Sequence, residues 1–298
     1  MMIRARLTSY ALSLAALAGS CAAHAEEDGA VSGWQQLNMT EGVTAISRRI
    51  YQLHMEIFWI CVIIALVVFG VMIYSLVKFR KSQGAIADTT LVHNTRVEVV
   101  WTVIPVVILV VMAVPAAKTL VAIEDTTKTE LTIKVTGFQW GWNYDYLDDG
   151  VSFYSHLDRA SDHARELTSG IDPNGVEHYL LSVDHPLVVP VGTKVRLLIT
   201  GADVIHSWWV PAFGVKKDAI PGFVNEAWFN IDADKPGLYR GQCAELCGRD
   251  HGFMPIVVDA RSKEDFAKWL QEKAAAQKPE ASAQGGESAA PAAPATAP

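Results

Sequence analysis

One short stretch near the C-terminal end, GQCAELCGRDHGFMPIVV (residues 241–258), concentrates side chains that bind soft metal ions. Four of them fall within twelve residues at the spacing C-x3-C-x3-H-x2-M: Cys243, Cys247, His251 and Met254. Two cysteines in an oxidising compartment could instead form a disulfide bond. The neighbouring imidazole and thioether favour a metal site, because thiolate, imidazole and thioether ligands together suit copper.

A second histidine, His206, lies upstream in the stretch DVIHSWWVPAFG, after an apolar strand pattern. Blue-copper sites take a second histidine from such a distant strand, and one thiolate serves one copper ion. Two thiolates in one loop can bridge two copper ions, so the sequence predicts a dinuclear site that carries single electrons. The predicted ligands are the bridging thiolates of Cys243 and Cys247, the terminal imidazoles of His206 and His251, the Met254 thioether and the Glu245 backbone carbonyl.

The first residues have the pattern of a secretory signal. Arg4 and Arg6 precede an apolar run, and small residues at 23–25 suit a signal peptidase. We therefore predict a signal peptide over residues 1–25 and a periplasmic segment over residues 26–56. Cys21 could carry a lipid, but Ala18 suits that modification poorly, so we favour removal of Cys21 with the signal.

Two uncharged apolar runs, at residues 57–77 and 99–117, are each long enough to cross a bilayer. The loop between them, residues 78–98, carries four basic side chains against two acidic ones. The positive-inside rule places this loop in the cytoplasm and both termini in the periplasm. The sequence therefore predicts a transmembrane α-helical hairpin in a bacterial inner membrane.

Beyond the second apolar run, short alternating stretches such as ELTIKVTG (130–137) and MPIVVDA (254–260) are separated by turn residues. This pattern predicts an all-β sandwich or small barrel over residues 126–262. An amphipathic helix is predicted at 263–276, and the Ala/Pro-rich tail at 277–298 is expected to be disordered. The net charge of −7 argues against nucleic-acid binding and suggests a basic partner.

In combination and in order, these segments resemble subunit II of the bacterial aa3-type haem–copper cytochrome c oxidases. The motifs are HNTRVEVVWTVIPVVIL, GFQWGWNYDY, DVIHSWWVPAFGVKKDAIPG and GQCAELCGRDHGFMPIVV, within residues 40–270. The resemblance implies a cupredoxin-like barrel with a dinuclear CuA centre after the membrane hairpin. It also implies electron flow from cytochrome c to haem a in subunit I, for oxygen reduction coupled to proton pumping, with subunit III as a further partner.

The resemblance assigns roles to residues beyond the copper site. Trp140 matches the tryptophan at which electrons arrive from cytochrome c, and Glu98 matches a glutamate near the mouth of a proton pathway into subunit I. The side chain of Glu245 matches a ligand to a magnesium ion shared with subunit I. The carboxylates expected to face a basic cytochrome c are Asp145, Asp148, Asp149 and Asp203.

Gly141 departs from the family, which usually has an aromatic residue between the two tryptophans, and we expect this to leave Trp140 less firmly packed. The polar segment at residues 155–180 has no role that the sequence reveals. Three alternatives remain for the chain. A copper-free quinol oxidase subunit is disfavoured by the intact cysteines, a nitrous oxide reductase by the membrane hairpin, and a membrane-anchored, thioredoxin-type copper chaperone or thiol redox protein by the lack of βαβ patterns.

Overall fold

The computed structural model describes residues 38–86, 89–90 and 93–277. The predicted signal peptide (1–25), the start of the N-terminal segment (26–37) and the tail beyond residue 277 lie outside the described residues. Over the described part, the chain forms two long helices followed by two five-stranded sheets and a C-terminal helix.

The two long helices are α1 (Ala45–Lys78) and α2 (Thr95–Ile123), and both extend beyond the apolar runs that the sequence marks. Most of their apolar side chains are exposed, and both helices are long and apolar enough to cross a membrane. Each begins at a capping side chain. Thr44 Oγ1 accepts a hydrogen bond from the Ser47 N–H (2.9 Å), and Asn94 Oδ1 accepts one from the Arg96 N–H (3.1 Å).

The strands follow the second helix. In chain order they are β1 (Leu131–Phe138), β2 (Gly141–Tyr146), β3 (Val151–Ser155), β4 (Leu187–Pro190), β5 (Val195–Gly201), β6 (His206–Val210), β7 (Val215–Ala219), β8 (Asn225–Phe229), β9 (Gly237–Cys243) and β10 (Pro255–Arg261). Two short helices accompany them: α3 (Arg159–Ala164), between β3 and β4, and α4 (Lys263–Gln277), after β10. The helix α4 overlaps the helix predicted at 263–276, and β1 and β10 each lie one residue later than the alternating stretches at 130–137 and 254–260.

The strands form a two-layer sandwich. One sheet has the order β3-β2-β1-β5-β8, and the other has the order β4-β10-β9-β6-β7. Along β1, buried residues alternate with partly exposed ones, so that Ile133 and Val135 point into the core. Trp142 and Trp208, from opposite sheets, are fully buried in the same core. The all-β domain that the sequence predicts is therefore confirmed.

Within the described residues, polar contacts join the helices to the β domain. The Thr44 hydroxyl, at the start of α1, donates a hydrogen bond to the Phe213 carbonyl (2.9 Å). Arg48 forms an ion pair with Asp232. At the end of α2, Lys217 Nζ lies 3.0 Å from an oxygen of the Glu124 carboxylate. The sandwich is thus held at the ends of both long helices, on the side away from the connection between them.

Candidate metal centre

The loop between β9 and β10 brings its sulfur ligands together. Cys243 ends β9, and Met254 directly precedes β10, so the antiparallel pairing of these strands closes the loop at both ends. The Cys243 and Cys247 Sγ atoms are 3.9 Å apart, and both thiols are free and buried. A disulfide bond requires about 2.05 Å between the sulfur atoms. The thioether of Met254 completes the group, with its Sδ 3.4 Å from Cys247 Sγ.

His206 reaches the same sulfur atoms from the neighbouring strand. It begins β6, which pairs with β9 through Trp208 and Cys243. One ring nitrogen of His206 and the two Sγ atoms lie within 4.8 Å of one another. Nε2 of the ring is 2.9 Å from Asp203 Oδ1, whereas the buried Nδ1 has no hydrogen-bond partner. A buried nitrogen without a partner is costly unless it binds something, so this atom is suited to a metal.

The remaining predicted ligands complete the cluster. His251 Nδ1 is 3.5 Å from Cys247 Sγ, and the Glu245 carbonyl oxygen is 3.3 Å from Cys243 Sγ. The structure therefore brings all six predicted copper ligands together. Two thiols, two imidazoles, a thioether and a carbonyl form a soft donor set that fits copper and does not fit hard cations. Cys61, the remaining described cysteine, is exposed on α1 and takes no part.

The pKa values of the two thiols in the cluster are shifted in opposite directions. Burial raises the pKa of Cys243, but the nearby His206 imidazole and backbone groups outweigh this and place the pKa below its ordinary value. Burial and the adjacent Cys243 raise the pKa of Cys247 to about 12. Burial lowers the pKa of His206, yet the Cys243 thiol and the Asp203 carboxylate outweigh it, so the pKa is raised. Cys243 is therefore the first thiol to ionise, and a metal must displace the proton of Cys247.

Trp140 contacts the loop directly. Its Nε1–H donates a hydrogen bond to the Cys247 carbonyl (3.2 Å), and the Gln139 side-chain amide donates to the same oxygen (2.9 Å). The Arg249 guanidinium carbon lies 5.6 Å from the centre of the indole ring. Trp142, by contrast, is fully buried and donates its Nε1–H to the Met254 carbonyl (3.3 Å). Both tryptophans thus hold the backbone of the ligand loop, and Trp140 is the partly exposed one.

Asp203 has a contact that sequence reasoning missed. Besides facing His206, its Oδ2 accepts a hydrogen bond from the backbone N–H of Gln139 (2.7 Å). These hydrogen bonds and the His206 imidazole lower the pKa of the Asp203 carboxyl, although burial opposes them. Asp203 is therefore placed to orient the His206 imidazole, although the residue itself is exposed. The D-x-x-H spacing in DVIH is a signal that could have revealed it.

The other predicted docking carboxylates lie elsewhere. Asp145 is in β2, and Asp148 and Asp149 occupy the turn that follows it. The six residues of β2 (Gly141–Tyr146) lie between the turn that holds Trp140 and the turn that holds Asp148, so at about 3.3 Å per residue the two turns are roughly 20 Å apart. Burial, and to a smaller extent the neighbouring Asp148, raise the pKa of Asp149. The structure thus divides the four carboxylates between two places.

The side chains of Glu245 and Glu98 lie outside the cluster. Glu245 is exposed at the tip of the ligand loop. Glu98 lies in the first turn of α2, where its carboxylate accepts a hydrogen bond from the Asn94 N–H (3.1 Å). The rest of α2 separates Glu98 from the β domain, at about 1.5 Å per residue. The magnesium role of Glu245 and the proton role of Glu98 stay predictions.

Comparison with known proteins shows which protein family shares both parts of this chain. Residues 131–261 match the periplasmic domain family of cytochrome c oxidase subunit II, and residues 32–119 match the transmembrane domain family of the same subunit. The chain is 41% identical to a probable cytochrome c oxidase subunit 2 of Rickettsia conorii over 239 residues, covering 80% of this chain and 72% of the relative. It is 35% identical to cytochrome c oxidase subunit 2 of Cereibacter sphaeroides over 278 residues, covering 89% and 91%.

A crystal structure of the periplasmic domain of subunit II of cytochrome oxidase from Bradyrhizobium japonicum is also similar. It shares 44% identity and covers 49% of this chain and 94% of that one, with a TM-score of 0.41. The β domain described above is cupredoxin-like, and the two apolar helices together with this domain are those of a membrane protein. The chain therefore belongs to the cytochrome c oxidase subunit II family and is a subunit of a haem–copper oxidoreductase complex.

Proposed function

We propose that this subunit accepts electrons from cytochrome c at a dinuclear copper (CuA) centre. It then passes them to haem a in subunit I, where oxygen is reduced to water with coupled proton pumping. The observation that carries the proposal is the buried cluster of two free thiols, 3.9 Å apart, with an unpartnered His206 nitrogen beside them. The two-sheet sandwich does not support the thioredoxin-type alternative.

Six residues would hold the copper. Two bound copper ions would supply a one-electron couple shared between both ions. The thiolates of Cys243 and Cys247 would bridge them, and His206 would bind through Nδ1, because its Nε2 already faces Asp203. His251 would be the second terminal ligand, with Met254 and the Glu245 carbonyl as the weak ones. Strand pairing fixes His206 and Cys243 before any metal binds, which lowers the reorganisation that electron transfer requires.

Trp140 is proposed as the residue at which electrons arrive. Its hydrogen bond to the Cys247 carbonyl joins the partly exposed indole to a copper ligand. A basic cytochrome c would dock over it, steered by Asp145, Asp148, Asp149 and Asp203. Charge steering of this kind raises association rates by about 10 to 1,000-fold and weakens as salt rises.

The resemblance supports further roles for the chain within the complex. The exposed Glu245 carboxylate would share a magnesium ion with subunit I, since hard cations prefer carboxylate oxygen. Glu98, at the opposite end of α2 from the β domain, would stand at a proton pathway into subunit I. Both termini and the copper domain would be periplasmic, on a hairpin that crosses a bacterial inner membrane beside subunits I and III.

Copper binding by the full-length protein in detergent tests this function. We expect two copper ions per chain and an electron paramagnetic resonance (EPR) spectrum whose hyperfine splitting shows one electron shared by two ions. Reduced cytochrome c should then reduce the site, and Trp140→Ala should slow transfer within the complex more than it weakens binding. One copper ion per chain, or a stable Cys243–Cys247 disulfide in the isolated oxidase, would contradict the proposal and favour a thiol redox role.

A further inference from the structure

The connection between β3 and β4, which the sequence left without a role, is long for a compact domain. It runs from Ser155 to Leu187 and contains the short helix α3. Connections of more than about 12–15 residues are uncommon and are usually functional or disordered. This one is ordered. Ser161, fully buried, accepts a hydrogen bond from the Leu180 N–H (3.0 Å), and an isolated bridge pairs Leu157 with Val183.

Arg165, the residue that follows α3, contacts the loop between β9 and β10. Arg165 donates a hydrogen bond from Nε to Asp162 Oδ1 (2.7 Å), which fixes the guanidinium on its own helix. From there, Nη1 lies 3.8 Å from Asp250 Oδ1, and the guanidinium carbon lies 4.5 Å from the centre of the Phe253 ring. Asp250 and Phe253 flank His251 closely in the sequence. Arg165 thus contacts the loop on both sides of a copper ligand.

The same connection is fastened to the strand that leads into the loop. Arg240, a buried residue of β9, donates hydrogen bonds from Nη1 to the Leu181 carbonyl (2.5 Å) and to Ser182 Oγ (3.3 Å). Three residues later, β9 ends at Cys243. The connection therefore touches the ligand loop region at two places, one before the cysteines and one after them.

His251 is the ligand that needs such support. It lies in one turn of 3-10 helix, from His251 to Phe253, and is partly exposed. Its backbone N–H makes a long hydrogen bond to the Gly248 carbonyl (3.3 Å), and its ring contacts Cys247 Sγ at 3.5 Å. Gly248 and Gly252 lie within this arm of the loop, and glycine loses more conformational freedom on ordering than any other residue. One ordinary hydrogen bond, from the Phe253 N–H to the Asp250 carbonyl (2.9 Å), also closes the turn, so the His251 arm relies on few local contacts.

We propose that Arg165 is a positioning residue for the metal site. It clamps the 3-10 turn against the β3–β4 connection, through Phe253 and Asp250, and so keeps His251 in place in the metal-free protein. The clamp deepens the proposed function and rests on it only for the identity of the metal. Arg165 suits the task because a planar guanidinium can stack on a ring and pair with carboxylates at the same time.

Hydrogen exchange on the full-length, metal-free protein tests the clamp without any metal. We expect Arg165→Ala to speed the exchange of backbone amides in residues 248–254 by about 3- to 10-fold, since a partly exposed ion pair and a cation–π contact are each weak. Arg165→Lys should speed it less, because it keeps the charge and loses the stacking. Arg159→Ala, which changes an exposed arginine of the same helix, should leave the exchange as it is in the wild type.

Copper release to a chelator is the second measurement. Copper release should accelerate in Arg165→Ala by a similar factor. Release from the Arg165→Ala/Phe253→Leu double variant should be no faster than release from the faster of the two single variants. Wild-type exchange in Arg165→Ala, or acceleration spread evenly over both sheets, would overturn the clamp. If the wild type binds no copper, the proposed function fails, and the exchange result still decides the clamp.

Discussion

The two histidine sides of the metal site are built differently. His206 is fully buried, begins a strand that is paired on both sides, and has Asp203 behind its Nε2 at 2.9 Å. His251 is partly exposed, lies in a single 3-10 turn, and depends on Arg165 acting from a separate connection. The first side is positioned by the sandwich itself. The second is positioned by packing of one loop on another, which is less precise.

The two cysteines differ from each other in the same way as the two histidines. Cys243 ends a paired strand and has a pKa below its ordinary value, whereas Cys247 lies in the loop and has a pKa raised to about 12. A strand-borne thiolate beside His206 is therefore prepared for the metal, and the loop-borne thiol becomes a thiolate only when the metal arrives. The comparison suggests an order for assembly, in which the His206 and Cys243 side binds first.

Removal of either bridging sulfur should have the largest effect. Cys243→Ser and Cys247→Ser should each abolish the EPR splitting of an electron shared by two copper ions, because oxygen is a harder and poorer bridge than a thiolate. Cys61→Ser is the matched control, since that cysteine lies exposed on α1. If either variant kept the wild-type spectrum, the assignment of both thiolates as bridges between two copper ions would be wrong.

Asp203→Asn should weaken the strand-borne side. Loss of a carboxylate behind a ligand histidine costs about 10- to 100-fold in metal affinity, more than we expect for the Arg165 clamp. Asp148→Asn removes the same charge from the proposed docking set but lies at the far turn after β2. Copper titration of both variants therefore separates ligand orientation from docking. Equal copper affinities in the two variants would show that Asp203 acts only through its charge at the surface.

Copper affinity should fall as the pH falls. The Cys247 pKa of about 12 means that this thiol is protonated in the metal-free site throughout the physiological range. Copper must displace that proton, so each unit of pH lowered should weaken binding about tenfold per proton released. Competition with a chelator between pH 6 and pH 9, together with measured proton release, checks the slope. A pH-independent affinity would mean that Cys247 is already ionised before copper binds.

The clustering of the six predicted ligands could be foreseen from the sequence because five of them lie within one loop. The sheets could be predicted as a class because alternation such as that of β1 is local. The Arg165 clamp could not, since its partners Asp250 and Phe253 lie far away in the sequence and no local pattern joins them. The start of α1 differs, because Thr44 and Ser47 cap it locally, and the contact of Thr44 with the Phe213 carbonyl is the part that no local pattern shows.

Gly141 shows the limit of reasoning from residue types. The expectation was that glycine would leave Trp140 short of a packing partner. In the structure, a Cβ at position 141 would lie 2.7 Å from Phe138 Cζ and 2.9 Å from the Ser155 carbonyl oxygen. The space beside the backbone is already filled, and Trp140 is held instead by its hydrogen bond to Cys247 and by Arg249. Only the three-dimensional neighbours reveal why glycine is suitable here.

Met254→Leu should have the smallest effect on copper content, and it sharpens the comparison. Met254 belongs to the loop, yet it is 1% exposed, and Trp142 holds its carbonyl from the opposite sheet. In the sequence, Met254 lies in the same arm of the loop as His251. Its support, however, comes from the sandwich, as does the support of His206. Exchange of methionine for leucine conserves volume and usually costs less than about 1.5 kcal/mol, so the loop should keep its shape.

A weak thioether ligand tunes a copper site more than it holds the metal. We therefore expect Met254→Leu to retain two copper ions per chain, with a shifted reduction potential and an altered EPR splitting. Copper analysis and a redox titration of the full-length protein give the two quantities separately. Copper loss as severe as that in Cys247→Ser would mean that Met254 holds the metal, and that support from Trp142 does not make this end of the loop rigid by itself.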